Sequence, residues 1–174
     1  MVREPPPTRL GRFHPVDCLI VNIRQLRESD HGPAVADDWW GGRQVAGKLP
    51  RLFFRYFAGT SFAVEEDGEI VAFLVGIVGS PADEAYIHFV GVYPDHRSRG
   101  AGRRLYERFF EEAHRRGCRS VRAITSPVNM GSVGFHTSMG FEVLEGDGVE
   151  NGVSVHRDYD GDGGDKLVFV RELS

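Results

Sequence analysis

One stretch of the sequence changes from a strand pattern to a helix pattern, and it restricts the fold more than any other feature. Residues 84–93 are predicted to form a strand, in which successive side chains point alternately to its two faces. One of its faces is expected to carry Tyr86, His88, Val90 and Val92, and the other Ile87, Phe89 and Gly91. After Pro94, apolar residues recur at helical spacing as far as Gly117. A strand, a short loop and an amphipathic helix in this order predict an α/β domain.

The loop between these elements reads Arg97-Ser98-Arg99-Gly100-Ala101-Gly102. Two glycines two positions apart let the backbone approach a ligand closely, and the start of the next helix directs its free N–H groups into the same space. Such a helix start binds phosphate groups. Arg103 and Arg104 add further positive charge to a chain whose net charge is −4. The loop predicts an anion site suited to a pyrophosphate, and the structural alternative is a glycine turn with solvated arginines.

Two other phosphate-binding patterns do not fit this loop. A P-loop requires Gly-x-x-x-x-Gly-Lys-Ser/Thr, which the sequence lacks. A dinucleotide-binding fingerprint requires a third glycine at position 105, where Leu105 stands. The negative net charge also argues against a general nucleic-acid binder.

The rest of the pattern predicts one domain, residues 16–174, after a flexible tail at residues 1–15. Further strands are predicted at 19–23, 61–66, 69–78, 119–125, 141–144 and 166–171, with an acidic hairpin turn at 66–68. Further helices are predicted from residue 29 or 30 to 38, from Pro50 to Gly59, and over 129–139. The order of elements predicts a mixed α/β sheet.

Composition indicates where such a chain would work. Its two cysteines, Cys18 and Cys118, have no metal-ligand spacing and are expected to be reduced. No run approaches 18 apolar residues, and the first residues carry prolines and arginines rather than an apolar stretch. We therefore expect a cytoplasmic protein without a membrane span.

Residues 90–102, VGVYPDHRSRGAG, resemble the central motif of the GNAT superfamily of N-acetyltransferases. That motif is an apolar–x–Val–x–Pro strand end followed by Arg/Gln-x-x-Gly-x-Gly/Ala. Asn129, Ser132 and the segment from Phe135 to Gly140-Phe141 resemble the family's second signature, an Asn-led helix that closes in Gly-Phe. The order of elements agrees from about residue 19 onward. The resemblance implies a single domain with a mostly antiparallel sheet of six to seven strands, splayed at the cofactor site and flanked by about four helices.

The resemblance also implies how acetyl-CoA would bind. The backbone of Val90, Gly91 and Val92 would pair with pantetheine as a neighbouring strand does. The amides of residues 97–102 would hold the pyrophosphate. Asn129, Ser132 and Phe135 would contact the cofactor from their helix, and no metal is expected. A homodimer is suggested by the family alone.

Aminolysis of a thioester needs a neutral amine, a stabilised oxyanion and a protonated thiolate. His88 is the preferred base, since histidine exchanges protons near neutral pH and some family members resemble this chain in having a histidine there. Glu84 is the alternative base, and a hydrogen-bonded core histidine is the alternative reading of His88. Many family members have a tyrosine where this chain has His136, so His136 is a hypothetical general acid, or a helix residue without a proton role.

Asp38, Trp39 and Trp40 are the candidate residues for binding the acceptor amine. They lie where the resemblance implies the variable wall of the family's acceptor site. Tryptophans there could stack on a ring or clasp a cation, or simply cover a core edge. Asp158–Gly163 fits the opening of a calcium loop, but Phe169 stands where Glu is required, so an acidic turn is predicted.

These patterns together predict an enzyme that transfers an acyl group, most simply acetyl, from coenzyme A to a primary amine within a ternary complex. The acceptor is expected to be a small molecule or a peptide, with no nucleic acid or membrane as partner. A coenzyme A-binding sensor without turnover is the alternative.

Overall fold

A computed structural model describes residues 22–79 and 83–174. The predicted tail, Cys18 and most of the predicted strand at 19–23 lie outside the described residues. The strands are β1 (Asn22–Gln25), β2 (Phe62–Glu66), β3 (Glu69–Val78), β4 (Glu84–Val92), β5 (Ser120–Thr125), β6 (Glu142–Val143), β7 (Gly148–Glu150), β8 (Val153–Val155) and β9 (Leu167–Glu172). The helices are α1 (His31–Ala34), α2 (Asp37–Trp40), α3 (Arg51–Tyr56), α4 (Ala101–Arg115) and α5 (Met130–Ser138).

Seven strands form one sheet in the order β1–β2–β3–β4–β5–β9–β6, and β7 and β8 form a separate hairpin. Neighbouring strands of the sheet are antiparallel except β4 and β5, which are parallel. α4 provides the crossover that a parallel pair requires. The expected mixed, mostly antiparallel sheet is confirmed.

The turn between β2 and β3 follows directly from its sequence. Asp67 has φ 52° and Gly68 has φ 85°, so both central residues lie in the left-handed region. A two-residue turn of this kind matches the twist of the strands that it joins, and Asp-Gly is a preferred pair for it. The hairpin predicted around residues 66–68 is confirmed.

Two hydrophobic clusters cover opposite faces of the sheet. α4 packs on one face, where Leu105 and Phe109 are fully buried. α1, α2 and α3 cover the other face, where Trp40 and Phe54 contact Phe73 of β3. Burial of each such side chain stabilises the fold by roughly 1.5–3 kcal/mol. Because both faces are covered, a ligand reaches the middle of the sheet only where two strands separate.

The first helices differ from the sequence prediction. The helix predicted up to Asp38 is broken into α1 and α2, because Ala36 is extended (φ −65°, ψ 144°) and the indole of Trp40 donates to the carbonyl of Ala34 (2.8 Å). Pro50 precedes α3 in an extended conformation rather than serving as its first residue. α3 ends at Tyr56, and residues 58–60 form a separate 3-10 turn.

Candidate active site

β4 and β5 pair along only part of their length. The parallel register runs from Glu84 opposite Ser120 to Ile87 opposite Ala123. β4 then continues to Val92 alongside β3, while β5 continues alongside β9. Within the described chain, the edge of residues 88–92 that faces β5 therefore has no strand partner, and its backbone groups must bond to side chains, water or a ligand. This is the splay that the family resemblance implied, and we call the gap between the two strands the groove.

A β-bulge lies in β4 where the groove begins. Ile87 and Phe89 pair with the adjacent residues Gly76 and Val75 of β3, so His88 is the extra residue. A bulge interrupts the alternation of side chains. Ile87 and Val90 both join the cluster under α4, whereas His88 turns toward α3. The prediction that His88 shares a face with Val90 and Val92 is therefore wrong.

His88 is held by two groups from the opposite side of the sheet. Its ring stacks on Phe53 of α3 with centroids 4.2 Å apart and planes 13° from parallel. Its Nε2 donates to the backbone carbonyl of Lys48 at 2.9 Å. The side chain is half-buried. His88 follows the last residue of β4 that pairs with β5, so it lies where the groove begins.

The loop before α4 presents free backbone donors. Gly100 caps the helix with φ 85°, and Ser98 has φ 61°. The first backbone bond of α4 is donated by Arg104 to Gly100, so the amides of Ala101, Gly102 and Arg103 precede it and have no acceptor within the helix. This is the arrangement that binds phosphate oxygens.

The arginines of the loop differ in their contacts. The amide of Arg97 donates to Pro94, and its guanidinium donates to the carbonyls of Val92 (3.1 Å) and Trp39 (3.2 Å). Arg97 thus holds the loop against β4 and α2. Arg99 and Arg104 are exposed at the start of α4, where their positive charge adds to that of the helix.

α5 lies at the end of the groove that is next to the start of α4. Asn129 caps this helix by accepting from the amide of Ser132 (3.3 Å), and its amide group donates to Thr125 at the end of β5 (3.2 Å). A Cβ on Gly102 would lie 3.4 Å from the ring of Phe135 and 3.7 Å from Val92. Three predicted cofactor residues, Val92, Gly102 and Phe135, are therefore brought together where α4, α5 and β4 meet.

Comparison with known proteins agrees with this geometry. Residues 23–141 match the family model described as the acetyltransferase (GNAT) family. The match covers more than half of the chain. This chain belongs to the GNAT family.

Individual proteins resemble this chain over different lengths. The L-2,4-diaminobutyric acid acetyltransferase of Nocardia farcinica is 30% identical over 83 residues, which are 47% of this chain and 43% of that protein. The chain thus matches less than half of that relative's length. Ard1 from Thermoplasma volcanium has a TM-score of 0.70 at 20% identity, covering 88% of this chain and 97% of the other. A phosphinothricin acetyltransferase from Sinorhizobium meliloti in complex with acetyl-CoA has a TM-score of 0.64 at 15% identity, covering 88% and 89%.

His136 lies in the core of this GNAT domain. Its ring stacks on Phe169 with centroids 4.5 Å apart, Nδ1 donates to the carbonyl of Ser132 (2.8 Å), and Nε2 accepts from the hydroxyl of Tyr106 (3.0 Å). Burial lowers the pKa of His136, so the neutral ring is favoured. Both nitrogens are engaged and the residue is 6% exposed, an environment that does not favour proton donation to a ligand.

Glu84 lies at the other end of β4 from the groove. It forms an ion pair with Arg122 of β5, where the two strands are still paired. Four residues of strand, roughly 13 Å, separate it from His88. This position gives Glu84 a structural partner and favours His88 of the two proposed bases.

Trp39 and Trp40 are buried in α2 and belong to the core cluster on the α3 face. Trp39 also lines a surface cleft of about 410 Å³ together with Asp38, Glu69 and Tyr93. The negative charge of Asp38 is the largest cause that raises the pKa of Tyr93. The two indoles thus cover the edge of the core, which is the alternative to a role in binding the acceptor.

The acidic segment before β9, residues 158–165, is held by hydrogen bonds between its own residues. Asp158 accepts from the amide of Gly163 (2.6 Å), and Asp165 accepts from the amide of Asp158 (2.9 Å). Across residues 22–79 and 83–174, no group of three or more metal-ligating side chains is placed to hold a metal ion. In the same ranges, no helix is both long and apolar enough to cross a membrane.

Sequence reasoning missed the groups that orient His88. Phe53 belongs to α3, 35 positions before His88, and only the fold brings the two rings together. The sequence pattern places Tyr86 on the strand and predicts no role for it. Burial, followed by the negative charge of Asp160, raises the pKa of Tyr86 to about 12, so its phenol stays protonated near His88.

Proposed function

We propose that this chain is an N-acetyltransferase that transfers an acetyl group from acetyl-CoA directly to a primary amine within a ternary complex. The observation that carries the proposal is the groove between β4 and β5, which runs from the free amides of α4 to the bulge at His88. A pyrophosphate at one end would leave the thioester near the other.

The cofactor side of the proposal is supported by three sets of groups. The amides of residues 98–102 and the start of α4 would hold the pyrophosphate. The unpaired edge of Val90, Gly91 and Val92 would bond pantetheine, as an added strand does. Asn129, Ser132 and Phe135 would form the wall from α5. The GNAT protein from Sinorhizobium meliloti was solved with acetyl-CoA, which makes acetyl the first donor to test.

His88 is the proposed base. An alkyl ammonium loses one proton to the imidazole, and the neutral amine then attacks the carbonyl carbon of the thioester. Backbone N–H groups of β4 near Val90 would stabilise the oxyanion. The carbon–sulfur bond breaks as the carbonyl re-forms, and the amide nitrogen releases its second proton. The products are the acetylated amine, coenzyme A and a proton.

The leaving thiolate is proposed to need no acid from His136. A thiol pKa near 8.5 makes the thiolate a fair leaving group, so solvent can protonate it. The ring of His136 is already bonded at both nitrogens. We propose instead that His136 ties α5 to α4 through its bond to Tyr106.

A small diamine or diamino acid is the proposed first class of acceptor. The support is the Nocardia farcinica relative, whose name specifies L-2,4-diaminobutyric acid. The aromatic surroundings of His88, namely Phe53, Tyr86 and Phe89, would favour an acceptor with an apolar chain next to its amine. The cytoplasm, where thiols such as the buried Cys118 stay reduced, is the proposed location, and a homodimer the proposed assembly.

The alternative function is a coenzyme A sensor without turnover. The observation in its favour is the burial of His136 at the position where many family members carry a tyrosine. Both functions require the groove, so binding of acetyl-CoA does not separate them.

Release of free thiol separates the two functions. The intact protein is incubated with acetyl-CoA and L-2,4-diaminobutyrate, other diamines, amino acids or short peptides, and coenzyme A is measured with a thiol reagent. We expect thiol release that depends on the amine and falls by about 100-fold or more in His88→Gln. Saturable binding of acetyl-CoA with no amine-dependent release would instead establish the sensor.

A further inference from the structure

We propose that Phe53 and the backbone carbonyl of Lys48 hold His88 in the tautomer with its proton on Nε2, so that Nδ1 is the atom that accepts the proton of the amine. The inference rests on the proposed function, in which His88 is the base. It makes Phe53 a positioning residue that acts through His88.

The hydrogen bond to Lys48 determines the tautomer. A carbonyl oxygen can only accept, so the nitrogen 2.9 Å from it, Nε2, must carry a hydrogen. A neutral imidazole has one N–H, which leaves the lone pair on Nδ1. In the described parts of the chain, Nδ1 of His88 has no hydrogen-bond partner. Nδ1 is therefore the ring nitrogen that is left free to accept a proton.

Phe53 determines the plane of the ring. The two rings are 4.2 Å apart and 13° from parallel, closer and flatter than the contacts of His88 with Tyr86 (6.1 Å, 55°) and Phe89 (6.4 Å, 49°). A half-turn of the imidazole within this stack would place a carbon against the carbonyl of Lys48 and lose the bond. The stack on Phe53 and the hydrogen bond to Lys48 together favour a single orientation of the His88 ring.

The segment that carries these groups is itself anchored. Leu49 is fully buried, and its carbonyl accepts from Nε2 of His31 at 3.0 Å. The amide of Lys48 donates to Val45 (2.9 Å). The amide of Phe53 donates to Pro50 (3.0 Å), which ties the start of α3 to the same segment. The carbonyl and the ring that hold His88 thus belong to one fixed unit.

Proton transfer through Nδ1 of His88 accounts for every proton and bond in the reaction. The ammonium of the acceptor gives one proton to Nδ1, which makes the imidazolium and the neutral amine. The imidazolium returns a proton to solvent after the carbon–nitrogen bond forms and the carbon–sulfur bond breaks. Nε2 keeps its hydrogen throughout, and Lys48 accepts that bond in both charge states.

Nitrogen NMR of the intact protein tests the tautomer directly. The chain is labelled with 15N-histidine, and the His88 signals are assigned by their loss in His88→Gln. At a pH where the ring is neutral, we expect the long-range spectrum to show the proton on Nε2. In Phe53→Leu we expect signals averaged between the two tautomers. In Phe53→Tyr, which keeps an aromatic ring, we expect the wild-type pattern.

Steady-state kinetics supply the second readout. We expect Phe53→Leu to lower kcat about ten-fold while KM for acetyl-CoA stays within about two-fold, because the base is misplaced and the cofactor contacts are intact. Phe53→Tyr should restore kcat. Tyr56→Leu is the matched control, since Tyr56 belongs to the same helix as Phe53 and its side chain is exposed. It should leave kcat nearly unchanged.

The outcomes separate this inference from the proposed function. A wild-type spectrum with the proton on Nδ1 would overturn the inference without any variant, even if amine-dependent thiol release were normal. Unchanged spectra and kcat in Phe53→Leu would also overturn it. An Nε2–H tautomer without thiol release for any amine would overturn the proposed function and, with it, the proton transfer described here.

Discussion

Single glycines allow aromatic rings to lie directly on the backbone of the central strands. A Cβ on Gly91 of β4 would lie 2.5 Å from the ring of Phe73 and 2.8 Å from that of Trp40. A Cβ on Gly76 of β3 would lie 2.1 Å from the ring of Phe109. Real Cβ atoms do not approach carbon this closely, so both positions require glycine for packing rather than for backbone conformation.

Gly76→Ala should destabilise the fold. Phe109 is fully buried and has no room to move away, so the added methyl group forces a shift in the core. We expect a loss of about 1–3 kcal/mol in the free energy of unfolding, measured by urea denaturation. The control is Gly59→Ala, where a Cβ meets no atom within 4 Å. If both variants unfold at the same urea concentration, the packing of Phe109 on Gly76 is wrong.

His136→Phe tests the structural role of this histidine. Because burial lowers the pKa of His136, the fold favours its neutral ring, and the unfolded chain takes up a proton more readily. Its contribution to stability is complete above about pH 6.5 and declines as the pH falls through the lowered native pKa. We expect the free energy of unfolding to fall less steeply between pH 7 and 5 in His136→Phe, because the titrating ring is gone.

The same variant tests the proposed lack of a proton role. The hydroxyl of Tyr106 loses its acceptor, so a lower absolute stability of about 1–3 kcal/mol is expected, but the shape of kcat against pH should not change. A pH profile that loses one limb in His136→Phe would show that this histidine is an acid in the reaction.

At the scale of elements, α5 depends on its first residue. Asn129 satisfies one free amide of the helix and also joins it to the end of β5 through Thr125. The helix has only nine residues and contains Gly131 and Gly134, so its own propensity is low. The cap and the packing of Phe135 therefore fix the wall of the groove.

Asn129→Ala should weaken both helix and cofactor binding. Loss of the cap costs about 1 kcal/mol of stability, and a shifted α5 should raise the Kd for acetyl-CoA. Asn129→Asp keeps an oxygen acceptor at the cap and should recover most of the stability, but it loses the donor to Thr125 and brings a negative charge. Thermal denaturation with and without acetyl-CoA measures both effects. Equal Tm values for Asn129→Ala and wild type would contradict the role of this cap.

For the whole molecule, the parts that follow local rules were predictable from the sequence. The turn at Asp67–Gly68, the two strands that it joins and the helix after Gly100 depend on neighbouring residues, and the structure confirms them. The bulge at His88 depends on the register with β3, which no local pattern reveals. The burial of His136 likewise depends on Phe169, 33 positions later.

Binding of acetyl-CoA to the whole domain should also stabilise it. A ligand that binds only the folded state adds about 2.7 kcal/mol when its concentration is 100 times Kd. The proposed site is formed by β4, β5, α4 and α5 together, so the gain requires the complete fold.

Isothermal titration calorimetry with acetyl-CoA is the most direct test of the groove. We expect saturable binding at one site per chain, and a strong loss of affinity when Gly100→Val and Gly102→Val are combined, because one position needs φ 85° and the other packs against Phe135. Gly59→Val, away from the groove, should bind like the wild type. No heat of binding to the intact protein, or full affinity in the double variant, would contradict a cofactor site at the start of α4.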